Sequence, residues 1–140
     1  MGLDFGIDVK ARTPRGAKYL ANNFDHLERD YSDVTTFMFA YWRNDHGIRR
    51  SILNALEYKG YDGDGGEIIL DTIEDLTNVV EVLKYYLNEA HWDPMNHNTD
   101  WYHAIVSIAE TIYNLRSVID DVENEEVELS DLRITLYDSY

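Results

Sequence analysis

The hydrophobic positions of this chain change period several times, and each change predicts an element. Leu3, Phe5, Ile7 and Val9 alternate with smaller or polar residues, which is the two-residue period of a strand. Pro14 is suited to the first turn of a helix. After it, Ala17, Leu20, Phe24, Leu27 and Tyr31 recur at helical spacing, so the pattern predicts a helix reaching toward Tyr31. Phe37, Phe39 and Tyr41 alternate again as a second strand. Asn44 or Asp45 then suits the N-cap of a short helix with Ile48, Ile52, Ala55 and Leu56 inward.

The glycine-rich residues 59–66 read as a turn, and residues 67–70 as a short strand. Thr72, with Asp75 three residues on, resembles a capping box at the head of a long helix. Its apolar stripe is Leu76, Val79, Val80, Leu83, Tyr86, Leu87 and Ala90. Pro94 falls in the following loop. A second long helix starts near Thr99, with Trp101, Ala104, Ile105, Ile108, Ile112, Leu115 and Ile119 on one face. Residues 120–128 read as an acidic connector, and Leu132, Ile134 and Leu136 as a last strand. The sum is an α+β fold: a small, mostly antiparallel sheet covered by two long helices, with shorter helices beside them. No repeat and no linker divides the chain, so residues 1–140 are read as a single domain.

Composition narrows the chemistry. With 44% hydrophobic residues the chain holds enough apolar surface for a core, and with no cysteine it has no disulfide, zinc–thiolate site or cysteine nucleophile. No run of about 18 apolar residues is present, and the first residues lack the basic start and apolar core of a signal peptide. The expectation is a soluble, cytoplasmic protein with no membrane contact and no cofactor.

Charge changes the picture more. The net charge is −15. Residues 1–66 carry ten acidic and nine basic side chains, whereas residues 67–140 carry seventeen and three. Such a field repels a phosphate backbone and attracts a basic surface. The expected partner is therefore a protein with a basic surface, and not nucleic acid itself. The field is densest at Asp120, Asp121, Glu123, Glu125, Glu126, Glu128 and Asp131, seven acids in twelve positions with no Lys or Arg among them. Held on a rigid scaffold, such carboxylates can stand in for phosphates and occupy a nucleic-acid groove. The alternative is a solvated loop that maintains solubility.

Two other clusters carry candidate chemistry. Tyr41, Trp42, Arg43, His46 and Arg49 bring aromatic, cationic and hydrogen-bonding groups to a strand-to-helix junction, where a nucleotide or peptide can stack and pair. The opposing reading places Tyr41 and Trp42 in the core and pairs Arg43 and Arg49 with carboxylates of the acidic half. His91, His97 and His103 surround the loop between the long helices and are the candidate metal ligands, though their spacing matches no metal motif. Residues 62–67 begin like a calcium loop, but Glu67 stands where glycine is required and Ile73 where glutamate is. Phosphate-loop, nucleophile-elbow and zinc-protease motifs are absent, so the expectation is a protein that is not an enzyme.

The opening Met1-Gly2-Leu3-Asp4, the segment Ala40-Tyr41-Trp42-Arg43 running into a helix, and the closing Leu136-Tyr137-Asp138-Ser139-Tyr140 together resemble a group of small, uncharacterised tailed-bacteriophage proteins. These share a Met-Gly-Leu-Asp start and a Tyr-Trp-Arg segment. This chain departs from them in carrying Phe5 where that group has Met, and His46 and Arg49 where it has Asn and His. The resemblance implies a phage or prophage source. From that follows the expectation of an accessory protein that inhibits a host defence or nucleic-acid enzyme, of the anti-CRISPR or anti-restriction kind, by protein–protein binding. A protein that sequesters a nucleotide signal and a metal-dependent enzyme are the alternatives.

Overall fold

A computed structural model describes residues 4–31, 34–43, 46–57, 66–91 and 99–139. Five strands and four helices follow in the order β1 (Asp4–Ala11), α1 (Pro14–Asn23), β2 (Glu28–Tyr31), β3 (Val34–Arg43), α2 (His46–Ala55), β4 (Glu67–Ile69), α3 (Ile73–His91), α4 (Thr99–Glu123) and β5 (Leu132–Ser139). The strands form one sheet in the order β2-β3-β1-β5-β4, antiparallel throughout. The first strand of the chain is thus its centre, paired on one side with β3 and on the other with the last strand.

Strand alternation sends Phe5, Ile7 and Val9 to one face, where they meet Ile134 and Leu136 of β5 and Ile68 of β4. The helices cover this face. Phe24, at the end of α1, packs on Phe39 with ring centroids 4.8 Å apart, and Thr111 of α4 donates to the Phe39 carbonyl at 3.2 Å. Ile48, Ile52 and Leu53 of α2 and Leu76, Val79, Val80 and Leu83 of α3 complete a continuous core. This is the α+β architecture that the hydrophobic pattern predicts.

The sequence pattern misleads at three places. In β3, Phe37, Phe39 and Tyr41 do not share a face. The register slips opposite Ile7 and Asp8, and this irregularity allows Phe37, Phe39, Ala40 and Trp42 all to be buried while Tyr41 points away. The predicted helix toward Tyr31 stops at Asn23. Phe24 takes φ −134°, a 3₁₀ turn over Asp25–Leu27 accommodates the three-residue spacing of Phe24 and Leu27, and residues 28–31 pair with β3 as an edge strand. Third, the acidic residues 120–128 are not all connector: α4 continues through Glu123.

Local caps follow side-chain chemistry. Thr13 caps α1 by accepting from the Gly16 amide at 3.0 Å, and Thr72 caps α3 by accepting from the Asp75 amide at 3.0 Å. Gly16 is required for packing: a Cβ there would lie 2.1 Å from the Asp131 carbonyl oxygen. The start of α1 is thereby pressed against the turn that precedes β5. The predicted cap at Asn44 or Asp45, residues 59–65 of the glycine-rich turn and the loop holding Pro94 lie outside the described residues. No helix among the described residues is long and apolar enough to cross a membrane.

Candidate functional site: an ordered acidic turn

The end of α4 explains how the acidic run is held. Asn124 closes the helix with its amide on the Asp120 carbonyl at 2.9 Å. The Glu125 amide reaches the Val122 carbonyl at 3.1 Å, and the Glu126 amide reaches back to Asp121 at 2.9 Å. This pair of bonds is a Schellman motif, which ordinarily places glycine at the position Glu125 occupies. Glu125 accordingly has φ 62°, in the left-handed region that costs an L-residue about 1–2 kcal/mol. Val127, two residues on, is fully buried and ties the turn to the core.

A second local device follows at once. Glu128 and Asp131 form a capping box around the 3₁₀ turn at Leu129–Asp131: each accepts from the other's backbone amide. Thr13 donates to the Asp131 carboxylate at 2.7 Å, and the Arg12 amide donates to the Asp131 carbonyl at 2.8 Å. Arg15 reaches across from α1 to the Glu125 carbonyl at 2.7 Å and lies 3.7 Å from Asp131. The bond from the Glu128 amide, then that from Thr13, hold the Asp131 carboxyl below the usual carboxylate range.

The seven acids therefore divide. Asp120, Glu123, Glu125, Glu126 and Glu128 are exposed. Asp131 is buried, and its carboxylate fastens α1 to the turn, so it belongs to the scaffold of the acidic surface. Asp121 is half-buried and accepts from the Tyr19 hydroxyl at 2.6 Å. Burial first, and then the bond to Asp121, push the Tyr19 phenol well above its ordinary value. The last turn of α4 holds no basic residue. Its three carboxylates face the negative end of the helix dipole, an arrangement that a cation from outside relieves.

The described side chains of this cluster, Tyr41, Trp42 and Arg49, do not converge. Tyr41 is 42% exposed and its hydroxyl donates to Asp4 at 2.8 Å, whereas Trp42 is buried on the opposite face and stacks on Phe5 at 5.8 Å. Arg49 pairs with Asp138, Nε to Oδ2 at 2.7 Å, and the second Asp138 oxygen accepts from the Gly66 amide at 3.0 Å. This ion pair links α2 to β5 within the fold. The side chains of Arg43 and His46 lie outside the described residues, as do His97 and the side chains of His91 and His103. Among the described residues no group of His, Cys, Asp or Glu is arranged to hold a metal ion.

Sequence reasoning missed the polar residues on the inner stripe of α4. Thr111 and Asn114 are buried among Ile108, Leu115 and Val118. Two polar residues interrupting an apolar stripe were the available signal. No protein-family model, curated protein or solved structure matches this chain.

Proposed function

We propose that this chain is a non-enzymatic binding protein whose acidic surface, at the end of α4 and the turn after it, docks on a basic, nucleic-acid-binding groove of a partner enzyme. An inhibitor of host defence, of the anti-CRISPR or anti-restriction kind, is the concrete form. The observation that carries this reading is the ordered turn. Five exposed carboxylates project from a segment fixed by a Schellman motif, a capping box and Arg15, with Glu125 kept in a conformation that glycine adopts at lower cost. A solubility tail needs none of this order. A rigid array of like charge loses little side-chain and loop freedom on docking, and it steers the encounter with a basic surface.

The test is capture from bacterial lysate on the tagged full chain, followed by elution with duplex DNA. Support is a nucleic-acid enzyme that DNA releases and that a Glu123→Lys, Glu126→Lys variant no longer retains. Retention of the same enzyme by that variant at equal strength would remove the proposal.

A further inference from the structure

Beside the acidic turn, α1, the 3₁₀ turn at Asp25–Leu27 and α4 enclose a groove of about 640 Å³. Phe24 and Leu27 contribute apolar surface, and Glu110, Asp120 and Asp121 contribute three carboxylates. Among the described residues, none that lines it is Lys or Arg. The groove also contains Asn114, whose side chain has no hydrogen-bond partner among the described residues although the residue is only 6% exposed. Its neighbour on the same stripe, Thr111, is satisfied by the carbonyls of Phe39 and Ser107. The Asn114 amide atoms are not sealed from solvent, so they present a donor and an acceptor to whatever occupies the groove. With no protein partner competing for it, the amide is available to a ligand in this groove.

The ligand's chemistry follows from the lining. Three carboxylates require a cation with several N–H donors. Asn114 offers a carbonyl oxygen to one more donor, and Asn23, which donates to the Tyr19 carbonyl at 2.8 Å, keeps its own side-chain oxygen as an acceptor. Tyr113, 72% exposed and lining the groove, supplies an aromatic ring on which a planar cation can stack. A guanidinium has five donors in a plane, sheds water more readily than an ammonium and stacks on aromatic rings, and its aliphatic stem suits Phe24 and Leu27.

We infer that this groove binds a guanidinium group, supplied by an arginine side chain of the protein on which the acidic turn docks. The arginine's source rests on the proposed function above, whereas the preference for guanidinium rests on the groove alone.

The experiment is a titration of the 15N-labelled full chain with N-acetyl-arginine amide, and with N-acetyl-lysine amide as the equal-charge control, at fixed ionic strength. The arginine probe is expected to move the Asn114 side-chain amide along a saturating curve, with a midpoint about tenfold lower than that of the lysine probe. Tyr113→Ala and Asn114→Ala weaken it, and Glu74→Gln, an exposed carboxylate of α3 outside the groove, leaves it unchanged. Tyr113 is exposed, so its variant keeps the test usable should Asn114→Ala fail to fold. Equal midpoints for the two probes, or non-saturating shifts spread over residues 120–128, overturn the inference as simple ionic screening. Saturable arginine binding that leaves partner capture undisturbed retains the groove and removes the partner as its source. Loss of capture on charge reversal without arginine binding does the reverse.

Discussion

Thr13 and Asp131 stand 118 positions apart, yet the Thr13 hydroxyl donates to the Asp131 carboxylate at 2.7 Å while its oxygen also accepts from Gly16. One threonine therefore caps α1 and fastens it to the turn before β5. Because these bonds favour the ionised carboxylate, Asp131 is depressed in the fold relative to the unfolded chain. Its stabilising contribution is present above the unfolded value of 3.8 and is lost as pH falls through the lower folded value. Asp131→Asn is expected to lower the urea midpoint at pH 7, and the gap to the parent chain narrows on acidification below 3.8. Asp120→Asn, at an exposed position, changes the midpoint little. Parallel urea titrations between pH 2.5 and pH 7 check this.

Asp8 titrates with the opposite sign. It lies half-buried on the sheet face turned away from the helices, and its Oδ1 is buried without a partner. Burial raises its pKa above 3.8, with Lys10 pulling the other way. A carboxyl raised in the fold makes its full contribution below the unfolded value and loses it as pH rises through the folded one. Asp8→Asn removes that penalty. The variant is expected to unfold at a higher temperature than the parent at pH 7, with the advantage gone below about pH 3.8. An unchanged difference across that range would count against it.

Glu125 sets stability against presentation of charge. Glycine at this position relieves the left-handed φ of 62°, offset in part by the greater freedom of glycine in the unfolded chain. Glu125→Gly is expected to stabilise the protein by roughly 0.5–1 kcal/mol. The same change deletes one carboxylate from the exposed array, so the stabler variant is expected to associate more slowly with a basic partner. Chemical denaturation and association kinetics on the same preparations test both halves.

Much of this fold was legible because the core follows simple periods. Ile7, Val9, Ile134 and Leu136 alternate, and Leu76, Val79, Val80 and Leu83 recur at helical spacing, so local pattern and tertiary burial agree. Leu27 was misread because three-residue spacing serves a 3₁₀ turn as well as a helix. Tyr41 was misread because a register slip in β3 is decided by its partner strand, which local sequence does not reveal. At the acidic run, composition marked the location without distinguishing its parts. That Asp131 is scaffold and Glu126 is surface depends on Thr13 and Arg12, more than a hundred residues upstream.

The pair Arg49–Asp138 gives a sharper mutational contrast. The Asp138 side chain is 1% exposed and that of Arg49 is 17% exposed, so the ion pair is largely removed from water. Arg49→Met takes this cation away from a carboxylate that stays out of water, and is expected to cost about 3–5 kcal/mol. Adding Asp138→Asn to that variant removes the buried charge and is expected to recover part of the loss. A double-mutant cycle by urea denaturation measures the coupling. Additive single effects would show that the pair contributes no coupling energy.

Charge reversal at Glu123 and Glu126 separates a docking surface from a solubility device. Both side chains are exposed, neither takes part in a side-chain hydrogen bond among the described residues, and the turn that carries them is held by backbone bonds and by Val127. Folding therefore has little to lose, and reducing the density of like charge offsets the lower solubility of a less acidic protein. The melting temperature of Glu123→Lys, Glu126→Lys is expected to stay within a few degrees of the parent. Association with a basic partner is expected to slow by one to two orders of magnitude at low salt, and the difference to shrink as salt screens the field. Stopped-flow association at several ionic strengths measures both. A docking surface predicts the loss together with its salt dependence; a solubility device predicts neither, and predicts aggregation in its place.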